Sequence, residues 1–102
     1  MISLSEADRY VLEWKLKGAK FEIAGGVWKK KPVLHDIDLV VETRHLENVA
    51  ETVKANKPPV PVELYHTNAV NFPKLLHALR ATTYEAISQR LMAGLSFRKV
   101  RI

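Results

Sequence analysis

Two aspartates one residue apart, Asp36 and Asp38, interrupt a run of Ile, Leu and Val that otherwise predicts a buried strand. Side chains alternate between the two faces of a strand, so we expect both carboxylates on one face, with their Cα atoms about 7 Å apart. Carboxylates this close repel one another, and burial removes the water that stabilises their charge. A hard divalent cation such as Mg²⁺ relieves both costs, because it prefers oxygen ligands and commonly takes one or two carboxylates together with the phosphates of a substrate.

An Asp-x-Asp pair also occurs as two ordinary solvated residues on the open face of a sheet. Three neighbouring features favour the metal site here. Gly25 and Gly26 precede the pair and predict a turn that a phosphate-sized ligand can approach closely. A run of three lysines follows the glycines, and Glu63 faces away from the apolar side of a later predicted strand. We therefore expect three carboxylates to converge on a divalent-ion site.

The elements that must hold these side chains form an α+β framework. Helical spacing, strand alternation and capping residues predict the order α-β-β-α-β-α-α-β, which is typical of a mixed sheet packed against helices. The predicted elements are a helix from the Ser3–Glu6 capping box to near Gly18, strands Lys20–Ala24 and His35–Val41, a helix from Thr43 to Asn56, strand Val60–Tyr65, a helix capped by Asn71, a helix Tyr84–Ala93 after a Thr82–Glu85 capping box, and a C-terminal strand.

Composition narrows the class of protein. The chain has 102 residues, 47% hydrophobic and 26% charged, which is in the range of one globular domain. It has no cysteine, which excludes disulfides and thiolate metal sites, and the four histidines show no ligand spacing for zinc. No apolar run predicts an export signal or a membrane span, so we expect a cytoplasmic protein. The formal net charge of +5 favours a polyanionic partner.

The stretch "AGGVWKKKPVLHDIDLVV" resembles the signature of the X family of DNA polymerases and of the wider nucleotidyltransferase superfamily, in which a Gly-Gly or Gly-Ser turn and basic residues precede Asp-x-Asp. "VPVELYH" is similar to the later strand that carries the third carboxylate, and "FPKLLHALRATTYEAISQRLMAGLSFRKVRI" is similar to the start of the nucleotide-closing subdomain. The resemblance implies a polymerase-beta-like palm core over residues 1–70 and a helical extension over residues 71–102, within one compact domain.

The resemblance also implies a two-metal mechanism. Asp36 and Asp38 would bind both Mg²⁺ ions, for which Mn²⁺ would substitute, and Glu63 would bind the catalytic ion where the family usually carries aspartate. The implied reaction transfers a nucleotidyl group from a nucleoside triphosphate to a 3′-hydroxyl of DNA, as in DNA repair. The alternatives are a non-catalytic nucleotide- or DNA-binding module, or a small nucleotidyltransferase that modifies RNA or protein and acts with an accessory protein or as a homo-oligomer.

The glycines and lysines take the substrate-binding roles in this resemblance. Gly25 and Gly26 would lie over the incoming triphosphate, and Lys29 would neutralise it where the family carries arginine. Lys30 and Lys31 would contact a nucleic-acid backbone or form an ordinary solvated surface.

Four further side chains have structural interpretations. Trp28 is expected to pack under the lysines, and Leu75 and Leu76 to lie in the core beneath their helix. His35 is expected to point away from the face that carries the aspartates.

Overall fold

The chain folds into an α+β structure, of which the computed structural model describes residues 1–81 and 95–102. The described strands are β1 (Ile2–Ser3), β2 (Glu22–Ala24), β3 (Val33–Leu34), β4 (Ile37–Glu42), β5 (Val62–Thr67) and β6 (Arg98–Arg101), and the described helices are α1 (Leu4–Leu16), α2 (Gly25–Trp28), α3 (Leu46–Ala55) and α4 (Phe72–Ala81). Four strands form a sheet in the order β2-β4-β5-β6, while β1 and β3 pair as a separate antiparallel ribbon.

The sheet is mixed because only its central pair is parallel. β4 and β5 run in the same direction, and α3 makes the crossover connection between them. The outer strands β2 and β6 pair antiparallel with β4 and β5. The predicted fold class, a mixed sheet packed against helices, is thus confirmed, whereas the more specific palm assignment and the division at residue 70 stay predictions.

Helix α1 begins at the predicted capping box. The Ser3 hydroxyl accepts a hydrogen bond from the Glu6 backbone N–H at 3.1 Å, and the Glu6 carboxylate accepts one from the Ser3 backbone N–H. The helix buries Ala7, Val11 and Trp14, as its apolar spacing predicts. These contacts anchor the helix against one face of the sheet.

Each face of the sheet carries its own helices. Ile37, Leu39 and Val41 of β4 point toward α1 and α3 and are fully buried there. Val40 points the other way and packs with Leu75 and other residues of α4. Alternation along β4 therefore places Asp38 on the α4 face of the sheet, opposite the larger core.

Several observed boundaries differ from the predicted ones; β2, for example, begins at Glu22 rather than at Lys20. β4 begins at Ile37, so Asp36 precedes the strand rather than belonging to it. β5 begins at Val62, because Pro61 has no N–H to donate to a neighbouring strand. The strand β5 lies inside the sheet, between β4 and β6. The segment from Thr43 to His45 forms a 3₁₀ turn ahead of α3. The β1–β3 ribbon was not predicted.

The predicted C-terminal strand is present as β6. The predicted Thr82–Glu85 capping box and Tyr84–Ala93 helix lie outside the described residues. Across residues 1–81 and 95–102, no helix combines the length and apolar character needed to cross a membrane.

Candidate metal centre

Three carboxylates meet near the amino-terminal ends of the two central strands. The parallel register places Asp38 of β4 directly opposite Glu63 of β5, and alternation puts both side chains on the α4 face. Asp36 joins them from the loop just before β4. One oxygen from each carboxylate lies within 4.8 Å of the other two. The convergence predicted from the sequence is confirmed, and the group could hold a divalent ion.

The electrostatics of this cluster are unfavourable without a cation. Burial, followed by the charges of Asp36 and Glu63, raises the pKa of Asp38 from 3.8 to about 7. Burial and the charge of Glu63 also raise the pKa of Asp36. Asp38 Oδ1 is buried and has no hydrogen-bond partner among the described residues. A hard cation would satisfy this oxygen and offset the repulsion, so the donor set fits Mg²⁺ or Mn²⁺.

Glu63 already has two partners in the cluster. Lys99 Nζ lies 3.0 Å from Glu63 Oε2, and the Tyr65 hydroxyl donates to the same oxygen at 3.2 Å. Burial, followed by the Asp38 and Glu63 charges, raises the pKa of Tyr65, so the phenol stays a neutral donor. Glu63 itself is only 7% exposed. Lys99 thus supplies part of the positive charge that the sequence analysis assigned to a metal ion alone.

Lys99 belongs to the candidate site and was missed by sequence reasoning. It lies on β6, whose antiparallel register places it opposite Tyr65. Alternation along "RKVRI" could have shown that Lys99 and Arg101 share one face, but the pairing register with β5 is set by tertiary structure. The sequence pattern therefore showed which face of β6 carries Lys99, but it could not show that Lys99 lies beside Glu63.

Asp38 lies so close to Gly25 that no side chain fits at position 25. The two glycines of the predicted turn are the first residues of the one-turn helix α2, and Gly25 has a φ of +58°. A Cβ atom added there would overlap Asp38 Oδ2, and one added to Gly26 would lie 2.5 Å from Leu34 Cδ2. The two glycines therefore let α2 lie close against the metal centre and against β3.

A cavity of about 330 Å³ opens over the carboxylates. Lys29 and Lys31 line it, whereas Lys30, which the sequence analysis grouped with Lys31, is not among its lining residues. Lys30 has a φ of +57° at the end of α2 and is exposed. His35 lines the cavity, so the prediction that it points away from the aspartates is wrong; strand alternation does not apply to a loop. The cavity thus combines basic side chains with the three carboxylates.

The other sequence interpretations have mixed outcomes. Leu75 is fully buried and Leu76 is half-buried against the same core cluster. Trp28 is 45% exposed, and the Arg80 guanidinium lies 3.7 Å from its ring centroid, so the expected packing under the lysines is wrong. Within residues 1–81 and 95–102, Asp36, Asp38 and Glu63 form the only cluster of three or more side chains that could hold a metal ion.

Comparison of the chain with protein-family models, with curated proteins and with solved structures finds no match. The functional assignment therefore rests on the geometry of this centre and on the motif resemblance.

Replacing Lys99 by Met should strengthen metal binding. The change removes a cation 3.0 Å from Glu63 and so leaves more of the negative charge of the cluster available to a metal ion. We expect Mn²⁺ to bind on the order of 10-fold more tightly, as measured by calorimetry of the protein stripped of metal. Arg98→Met is the matched control, because Arg98 is the neighbour of Lys99 on β6 and lines a different cavity, near His66. Equal Mn²⁺ affinity in the two variants would contradict the competition between Lys99 and the ion.

Proposed function

We propose that this chain is a minimal palm-type nucleotidyltransferase, which transfers a nucleotidyl group from a nucleoside triphosphate to a 3′-hydroxyl of DNA. The observation that carries the proposal is the convergence of Asp36, Asp38 and Glu63, with one buried Asp38 oxygen unsatisfied, in a cavity that lysines also line. The carboxylates suit hard metal ions, and the lysines suit a polyphosphate. A nucleoside triphosphate with its metal matches both.

The residues of the cavity divide this reaction between them. Asp36 and Asp38 would hold two Mg²⁺ ions, and Glu63 would complete the coordination of one of them. When bound, the ions would lower the pKa of the attacking hydroxyl and stabilise charge on the phosphate oxygens. Lys29 and Lys31 lie where they can neutralise the triphosphate and the departing pyrophosphate. The protein contributes positioning and charge rather than a covalent intermediate.

The glycines support this arrangement through the backbone. Gly25 lets α2 lie directly against Asp38, Gly26 lets it lie against Leu34, and both glycines line the cavity. A ligand in the cavity therefore meets backbone rather than side chains along this wall. This is consistent with the role of the Gly-Gly turn in the resembled family.

The Lys99–Glu63 ion pair favours a second candidate, a palm-like module that binds nucleotide or nucleic acid without turnover. In such a module Lys99 would replace the catalytic cation permanently and neutralise Glu63. The lysines that line the cavity and the net charge of +5 would still attract phosphates. The two candidates differ in whether Glu63 is available to a metal ion.

An incorporation assay separates the candidates. The full chain is incubated with labelled triphosphates and a primer–template, with Mg²⁺ or Mn²⁺, and Asp38→Asn serves as the inactive control. Metal-dependent extension that the variant lacks would support the enzyme. A shift in DNA mobility without extension would identify the binding module and overturn the transferase. Label on added RNA or on a co-purified protein would retain the transferase chemistry and reassign the acceptor.

A further inference from the structure

A second cavity lies beside the metal centre. This groove has a volume of about 440 Å³ and is lined by Trp28, Pro73, Leu76, His77, Arg80 and Ala81. Helices α2 and α4 contribute to both cavities: α2 carries Gly25 and Gly26 at the metal centre and Trp28 at the groove, and α4 carries Leu79 at the first and Arg80 at the second. The two cavities are therefore neighbours on one side of the sheet.

The groove contains a fixed aromatic platform. The Arg80 guanidinium lies 3.7 Å from the Trp28 ring centroid. Its Nε donates to the Ile23 carbonyl at 3.0 Å, and its Nη2 lies 4.0 Å from the Glu22 carboxylate. These contacts hold the planar guanidinium in place, and 45% of Trp28 remains exposed. A planar ligand could stack on this platform without first ordering it, which lowers the entropic cost of binding.

The chemistry of the groove indicates what ligand it takes. Its lining combines the flat apolar surface of Trp28, Pro73 and Leu76 with the donors of His77 and Arg80, and no carboxylate is among the described residues that line it. That combination suits a planar ring with polar edges attached to an anionic group. Nucleotides carry these features, and proteins that bind unpaired strands use aromatic platforms flanked by cations.

We propose that the groove is a stacking subsite for an unpaired nucleobase whose phosphates lie toward the metal centre. The inference deepens the proposed function, on which it rests for the identity of the ligand in the first cavity. The base belongs either to a single strand that extends from the metal centre or to the nucleoside triphosphate itself. Both sources present the same planar ring to Trp28.

Trp28 provides a direct test, because the other tryptophan, Trp14, is fully buried and serves as an internal reference. Asp38→Asn protein without divalent ions is titrated with an oligothymidylate octamer, with an abasic octamer of the same charge, and with thymidine triphosphate. Tryptophan emission and the anisotropy of a labelled octamer are recorded. We expect the octamer or the triphosphate to quench Trp28, and the abasic strand to leave its emission unchanged.

Trp28→Leu and Trp28→Phe complete the test without a change of charge. We expect Trp28→Leu to weaken octamer or triphosphate binding on the order of 10-fold and to leave abasic binding unchanged, whereas Trp28→Phe should retain part of the affinity. Quenching by the octamer alone identifies a strand, and quenching by the triphosphate alone identifies the nucleotide. Equal binding of normal and abasic strands to wild-type protein, without quenching by the triphosphate, would overturn the subsite. Because no metal or turnover is needed, that failure is independent of the incorporation assay.

Discussion

Asp38→Asn should make the metal-free protein more stable while it abolishes nucleotidyl transfer. The pKa of Asp38 is raised from 3.8 to about 7 in the folded protein. At about 1.4 kcal/mol for each pKa unit, ionised Asp38 destabilises the fold by at most about 4 kcal/mol. Partial solvent access reduces that figure, so we expect a gain on the order of 2 kcal/mol in the free energy of unfolding at pH 8. Transfer should fall by at least about 100-fold. Chemical denaturation with EDTA present measures the first effect, and the incorporation assay the second.

The pH dependence gives the prediction a sign. Because the folded-state pKa of Asp38 is raised, its contribution to stability is fully present below about pH 4 and is lost as the pH rises through about 7. The advantage of Asp38→Asn should therefore grow between these values. Added Mn²⁺ should stabilise the wild type and leave the variant unchanged. Asp8→Asn, on the exposed side of α1, is the control of equal charge change. A variant that is less stable than the wild type at pH 8 would contradict this account of the centre.

Gly25→Ala should disrupt the metal centre, whereas Gly18→Ala should not. Both glycines have positive φ, +58° and +91°, so alanine at either position has a similar conformational cost of about 1 kcal/mol. Space distinguishes them. The new methyl group meets nothing within 4 Å at Gly18, but it overlaps Asp38 Oδ2 at Gly25. We expect Gly25→Ala to lower the free energy of unfolding by a further 2 kcal/mol, approximately, and to weaken Mn²⁺ binding at least about 10-fold.

A double-mutant cycle tests the contact between Gly25 and Asp38. Most of the overlapping atoms disappear in Asp38→Ala, so the cost of Gly25→Ala on that background should approach the cost of Gly18→Ala. Unfolding with urea measures all four proteins of the cycle. If Gly25→Ala costs the same with and without the Asp38 carboxylate, the glycine serves backbone conformation alone.

Sequence analysis predicted the fold class and the carboxylate cluster because both depend on local patterns. Two-residue alternation places Asp38 and Glu63 on the faces that lack the larger core, and the apolar spacing of α1 and α4 shows which helix faces are buried. The capping box of α1 was readable for the same reason. Parallel pairing of β4 and β5 then brings the two acidic side chains together.

The remaining features depend on contacts between residues distant in the chain. The pairing of Lys99 with Glu63 follows from the register of β6, and the platform of Arg80 on Trp28 follows from the packing of α4 beside α2. Neither relation leaves a periodic signal. His35 was placed on the wrong face because the strand begins two residues later than its apolar pattern suggested. His35 therefore lies in a loop, where the two-residue alternation of a strand does not set the direction of a side chain.

The position of Lys99 on an outer strand has a consequence for how the Glu63 carboxylate becomes available. β6 is paired on one side, with β5, and its four residues are all exposed, whereas β4 and β5 are bordered by strands and helices. Local opening is least costly at such margins of a sheet. Lys99, the ion-pair partner of Glu63, thus belongs to the part of the sheet that separates most readily, whereas Asp38 and Glu63 belong to its two central strands. Fraying of β6 would therefore release the Glu63 carboxylate from Lys99 without disturbing the strands that carry Asp38 and Glu63.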